Sequence, residues 1–237
     1  AVLDRCLSAF DCRAAFDEII IVVTTKDEKV KAIAEKYATK VLFKPWTSEE
    51  YPYGDFAGAR NMALDNTTSD YVFWLDSDDV LTGENINQKF RNLREFLDRL
   101  GYEVFFLNYC LERDDNGNET TAIVRERIWK RETGVRWKYP VHEQLPFDWA
   151  VCRKSKITGV TNIHQPVKLS ATGINRNLKI LKSEYENPAR RDNHSAYYYA
   201  RDMMLNNPIH QSIPILVDIV RNFDGNEQNI FEACMAL

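Results

Sequence analysis

The chain has 237 residues, 44% of them hydrophobic and 28% charged, with a formal net charge of −4 and a sequence pI near 5.7. That is material for one large domain, or one domain plus a small partner, with an ample core. The acidic balance argues against a nucleic-acid partner, which usually meets a basic face. No run of about 18 apolar residues is present to make a membrane-spanning helix. Five scattered cysteines, Cys6, Cys12, Cys110, Cys152 and Cys234, have neither CxxC nor zinc-ligand spacing. They read as free thiols, and the expected compartment is the reducing cytoplasm.

Taken in order, "LDRCLSAF" (3–10) has helical spacing, and "FDEIIIVV" (16–23) is an unbroken β-branched run suited to a strand buried on both faces. "DEKVKAIAEKYA" (27–38) is an amphipathic helix, "KVLFKP" (40–45) a short strand, and "DFAGARNMALDNT" (55–67) a helix. "YVFWLD" (71–76) is the next buried strand. This alternation predicts an α/β fold with a largely parallel sheet and helices on both faces, in which ligands bind beyond the carboxyl ends of the strands. A strong amphipathic helix (85–101) stops at Gly101, and two strands (102–113 and 119–131) flank the turn "DDNGN". "VRWKYPVHEQL" (135–145) and "SKITGVTNIHQ" (155–165) read as extended, and from about Asn175 three helical patterns follow. These set the expected division: an α/β domain over 1–170 and a helical tail over 171–237, the possible start of a helical-repeat array.

The chemistry gathers in "YVFWLDSDDVL" (71–81), where a buried strand runs into Asp76, Asp78 and Asp79. Carboxylates this close raise one another's pKa in a partly dry site, and a hard divalent ion removes that penalty. An acidic cluster at the end of such a strand reads as a metal–diphosphate site. The plainer alternative is a solvated loop in which Asp79 caps the next helix.

"GARNMALDNTTSDYVFWLDSDDVL" (58–81) resembles the ARN-helix, strand and DxD block of the inverting family-two glycosyltransferases of the GT-A fold. "VRWKYPVHEQL" resembles a later block ending in His-Glu in a bacterial and phage branch, and "TNIHQPVK" with the helices after it resembles that branch's His-bearing strand and tail. The resemblance implies a nucleotide-diphosphate sugar donor, a glycan, lipid-linked or protein acceptor, and Mn²⁺ or Mg²⁺ as cofactor. It implies Asp78 and His164 as metal ligands, Asp76 as a donor contact and Glu143 as the general base of inversion. Arg60, on the ARN helix that borders the family's donor pocket, is a candidate phosphate contact, and Asp79 would add charge beside the metal; Trp137, near the His-Glu stretch, offers a face that could stack on a sugar. The matching plain readings are a helix cap for Asp79, an ion-pair partner for the acids in Arg60, and core packing for Trp137. The family's opening strand is absent from this sequence, and Thr24 stands where an aspartate is expected, so the base is not assigned. Two other functions fit the residues: a nucleotidyltransferase, or a degenerate binding module that recruits a partner through its tail.

Overall fold

A computed structural model describes residues 2–165, 171–222 and 232–235. The chain divides into two compact units. The first comprises Ala1–Pro45, Ala59–Trp137 and Leu145–Lys168, the second Trp46–Gly58, Lys138–Gln144 and Leu169–Leu237. The helical tail is therefore grouped with two upstream segments, one of them the His-Glu stretch. No helix among the described residues is long and apolar enough to cross a membrane, and all five cysteines are free.

The first unit begins with α1 (Val2–Ser8) and α2 (Cys12–Ala15). β1 (Ile20–Val23) follows, then α3 (Glu28–Tyr37), capped by Asp27, and β2 (Lys40–Phe43). β1 and β2 pair in parallel as a two-stranded sheet. Only Val23 of β1 is buried; Ile20, Ile21 and Val22 are half-buried, so the expectation of a strand covered on both faces is too strong. α4 (Phe56–Asp65), β3 (Tyr71–Phe73), β4 (Asp79–Thr82) and α5 (Ile86–Leu100) come next. β5 (Val104–Arg113), β6 (Glu119–Lys130) and β7 (Lys154–His164) complete a five-stranded sheet of order β3-β6-β5-β7-β4.

The α/β class holds, but the pairing corrects the expectation of a largely parallel sheet. β5 and β7 run parallel, whereas β3–β6, β5–β6 and β4–β7 are antiparallel. The turn explains part of this. The Asp114 carboxylate accepts from the N–H groups of Asn116 and Asn118 at 3.0 and 2.8 Å, and Gly117 takes φ 85°. A turn that short returns the chain beside itself, which is possible only antiparallel. At the far edge, Gly83 (φ 146°) lies so near β7 that a Cβ there would run into the Gly159 carbonyl, so glycine is required.

The core of this unit forms where α5 lies on the sheet. Ile86, Phe90 and Leu97 present one helical face to Leu81, Phe105, Leu107, Ile128 and Val160. Each such side chain contributes roughly 1.5–3 kcal/mol by leaving water. Phe16 stacks on Phe73 at 5.2 Å and tilts on Phe90 at 5.2 Å, which fixes the approach to β1. α5 ends at Gly101, in the left-handed region at φ 62°, as its place in the sequence predicts.

Glu18, just before β1, ties this approach to the turn after α4. Its carboxylate accepts from the Thr67 and Thr68 hydroxyls at 2.5 Å and from the Thr68 N–H at 2.9 Å. The hydroxyls of Thr67 and Thr68 hold its pKa at about 2, against an ordinary 4.5. A depressed carboxyl stabilises the fold above the unfolded pKa and loses that contribution as pH falls through the folded one. The stability difference between the native chain and Glu18→Gln is therefore expected to be full above pH 4.5 and to vanish as pH approaches 2. Urea titrations at stepped pH measure it.

In the second unit, α6 (Ala171–Glu186), α7 (Asn193–Asn206) and α8 (Ile213–Asn222) pack side by side. Asp192 and Ser195 form a reciprocal capping box at the start of α7. Ala196 and Ala200 of α7 meet Ile215, Leu216 and Ile219 of α8. Small residues on one helix admit the larger ones of its neighbour. Ile180 and Leu181 of α6 form a second cluster with Val141, and Trp46 and Phe56 pack against it.

Candidate functional site

The three aspartates part company within four residues. Asp76 ends the extended run after β3, and its Oδ1 accepts from Arg60 Nη2 at 2.7 Å. The Arg60 guanidinium lies over the rings of Trp74 and Trp137, at 4.5 and 4.8 Å. Aromatic faces favour a cation there, so a fixed positive fork stands beside the acids.

Asp79 is completely buried. It opens β4, opposite His164 on β7, and does not cap a helix: α5 begins later, after Asn85. Its Oδ2 accepts from Arg127 Nη2 at 3.0 Å and Asn162 Nδ2 at 2.7 Å. Its Oδ1 accepts from the Tyr109 hydroxyl at 3.1 Å and faces His164 Nδ1 at 3.3 Å. A carboxylate offers about four acceptor sites, and here all four have partners. Burial alone would push the Asp79 carboxyl up; the His164 hydrogen bond, the Arg127 charge and the Asn162 and Tyr109 bonds hold it below the usual range. Arg127 is itself fully buried, 3.8 Å from the Trp74 ring and 4.5 Å from that of Tyr109.

Asp78 lies between them, half-buried. Burial lifts its carboxyl above the ordinary value; the neighbouring His164 opposes the shift and Asp76 adds to it. His164 moves upward as well, through its bond to Asp79 first and then the charges of Asp78, Asp79 and Asp76. Ligand atoms of Asp78, Asp79 and His164 all lie within 4.8 Å of one another. Asp79 is already engaged by four donors, so Asp78 and His164 are the members of this cluster better placed to take a cation. A carboxylate on Nδ1 is the usual support of a metal-binding imidazole, since it fixes the tautomer and aims the other nitrogen. One hard oxygen and one imidazole nitrogen fit Mn²⁺, and Mg²⁺ less well.

Glu143 belongs to the second unit. The stretch 135–145, expected to be extended, is a strand nowhere. Lys138 and Gln144 form one isolated bridge, and between them Tyr139 and His142 take φ 70° and 54°. A left-handed conformation costs a non-glycine residue roughly 1–2 kcal/mol, so surrounding contacts must impose it. Pro140 explains why no ladder continues: it has no N–H to give, and its carbonyl accepts from Phe56 N–H at 2.9 Å. The Glu143 charge is felt by Arg176 of α6, whose guanidinium is pushed down by burial and up by Glu143. Arg176 lies 4.9 Å from the Phe56 ring.

The profile of Glycosyl transferase family 2 matches residues 1–157, more than half of the chain. The chain belongs to that family. The glycosyltransferase SunS of Bacillus subtilis, derived from the SPbeta prophage, is 23% identical over 99% of this chain and 54% of its own length. A TPR repeat-containing protein of Synechococcus elongatus is 27% identical over 60% of this chain and 32% of its own. The chain thus spans about half or less of the curated relatives it matches. Among solved structures, S. aureus TarS 1–349 in complex with UDP-GlcNAc superposes with a TM-score of 0.49 at 13% identity, covering 92% of this chain and 77% of TarS. Its complex with UDP gives 0.48 at 12% identity, covering 92% and 76%.

In this family 2 chain, the structure brings Asp78 and His164 together, with Asp79 beside them. Arg60 is engaged by Asp76. Trp137 is 5% exposed and packs edge-on against Trp74 at 4.8 Å, which makes it a support for Arg60. Sequence reasoning missed Arg127, Asn162 and Tyr109, the partners of Asp79. The available signal was an arginine next to "IW" at the buried end of a strand, where a charge needs a reason.

Proposed function

We propose that this chain is a metal-dependent inverting glycosyltransferase, moving a sugar from a nucleotide-diphosphate donor to a glycan, lipid-linked or protein acceptor. The observation that carries this is the cluster of Asp78, Asp79 and His164, whose ligand atoms lie within 4.8 Å of one another, with His164 Nδ1 facing the buried Asp79 carboxylate. Family 2 membership supplies the reaction class. Asp78 and His164 would hold Mn²⁺ or Mg²⁺. When bound there, such an ion would supply positive charge against that of the departing diphosphate. Asp76, steadied by Arg60, contacts the donor, and Asp79 orients His164. Glu143 is the general base: it takes the acceptor proton as the acceptor attacks the anomeric carbon from the face opposite the leaving group.

Glu143→Gln tests the base. The amide keeps the shape and loses the basicity, so transfer is expected to fall about a hundredfold or more, with donor binding retained. Rates come from product formation, and donor binding from calorimetry with Mn²⁺. Transfer at the native rate would refute the assignment.

A further inference from the structure

The loop 139–143 is short, carries two left-handed non-glycine residues and contains Glu143. Besides the Lys138–Gln144 bridge and the Phe56 N–H on the Pro140 carbonyl, the side chains of the loop are held by the helical tail. The Tyr139 ring stacks face to face on His194 of α7, with centroids 3.5 Å apart, and its hydroxyl donates to Asp192 at 2.9 Å. Val141 is 4% exposed and packs with Ile180 and Leu181 of α6. The His142 ring stacks on Tyr198 at 4.4 Å, and its Nε2 stands 3.0 Å from Asp202 Oδ2. Asp202 is in turn held by its neighbour Arg201 at 2.8 Å. Three anchors on α6 and α7, at Tyr139, Val141 and His142, thus precede Glu143 directly. A tail serving only to recruit partners would have no need to grip this loop, and no need to offset two unfavourable backbone conformations within it.

We infer that α7 is part of the catalytic apparatus: through Asp202 and Tyr198 it holds His142, and thereby sets where the Glu143 carboxylate stands. His142 and Asp202 are positioning residues, and the inference rests on Glu143 being the base. An unanchored His142 frees the loop from one left-handed turn, and a general base displaced by about 1 Å can lose on the order of a hundredfold in rate.

The test uses the whole chain, with kcat and donor KM for transfer and a separate Mn²⁺ titration by calorimetry. Asp202→Ala and His142→Ala are each expected to lower kcat roughly 10- to 100-fold, leaving donor KM and Mn²⁺ affinity within about twofold. In a Glu143→Gln background, Asp202→Ala is expected to add no further loss, because both changes act through one group. A merely structural role would instead multiply the two losses, and that result would overturn the inference. So would a native kcat in Asp202→Ala alongside an impaired Glu143→Gln, which leaves the base assignment standing. A fully active Glu143→Gln removes the base and this inference together. If Asp202→Ala does not fold, His142→Ala carries the same cycle.

Discussion

Asp79→Asn is expected to lower the unfolding free energy by about 3–5 kcal/mol, the cost of stranding one partner of a buried ion pair. Asp79 and Arg127 are both fully inaccessible and stand 3.0 Å apart. Asparagine has nearly the same shape, so the loss arises from charge and hydrogen bonding. Its amide turns one acceptor into a donor and points it at donors already present: Arg127 with Asn162, or Tyr109 with His164. Arg127 then keeps its charge, since guanidinium does not deprotonate in proteins, without the adjacent carboxylate that neutralised it. Arg127→Met is expected to cost less, because Asp79 retains three of its four partners and the thioether fills the space between Trp74 and Tyr109. Guanidinium denaturation of the three proteins measures this. A larger loss in Arg127→Met than in Asp79→Asn would show that the arginine, not the carboxylate, is the hub.

Asp78→Asn is expected to leave the fold intact and to remove metal-dependent donor turnover by about a thousandfold, equivalent to about 4 kcal/mol of transition-state stabilisation. The two aspartates are neighbours, yet their effects separate. Asp78 is half-buried, and burial pushes its carboxyl up with no full set of donors to stabilise the charge. Neutralising such a group relieves the folded protein instead of stressing it. The proposed cation would compensate the ionised form, and asparagine is a far poorer ligand for Mn²⁺. Asp79→Asn is thus expected to spoil stability first and metal binding only through the tilt of His164, and Asp78→Asn to spoil metal binding while leaving stability alone or improving it.

Much of this was legible in the sequence. The β-branched run before Val23, the alternation of strand and helix, the "DDNGN" hairpin and the stop at Gly101 are local patterns, and local chemistry decides them. β4 was not legible, because its four residues gain strand character only by pairing with β7, Asp79 opposite His164. The antiparallel pairing of β3 with β6 has the same origin in contacts distant along the chain. The stretch 135–145 misled because tyrosine, valine and tryptophan favour strands, whereas Pro140 and anchors on α6 and α7 decide its shape. Within the site, Asp78 and His164 were readable from residue type and order. The division of labour between Asp78 and Asp79 was not, since it depends on a buried arginine about fifty residues on.

The central claim is that Asp78 and His164 hold a divalent ion that serves transfer from a nucleotide-diphosphate sugar. The direct measurement is the release of nucleotide product from a panel of such donors, with Mn²⁺ and with chelator, by the native chain and by Asp78→Asn. Free nucleoside diphosphate is expected from at least one donor, dependent on Mn²⁺ and lost in Asp78→Asn. Release of pyrophosphate, or turnover indifferent to both the chelator and the substitution, would contradict it.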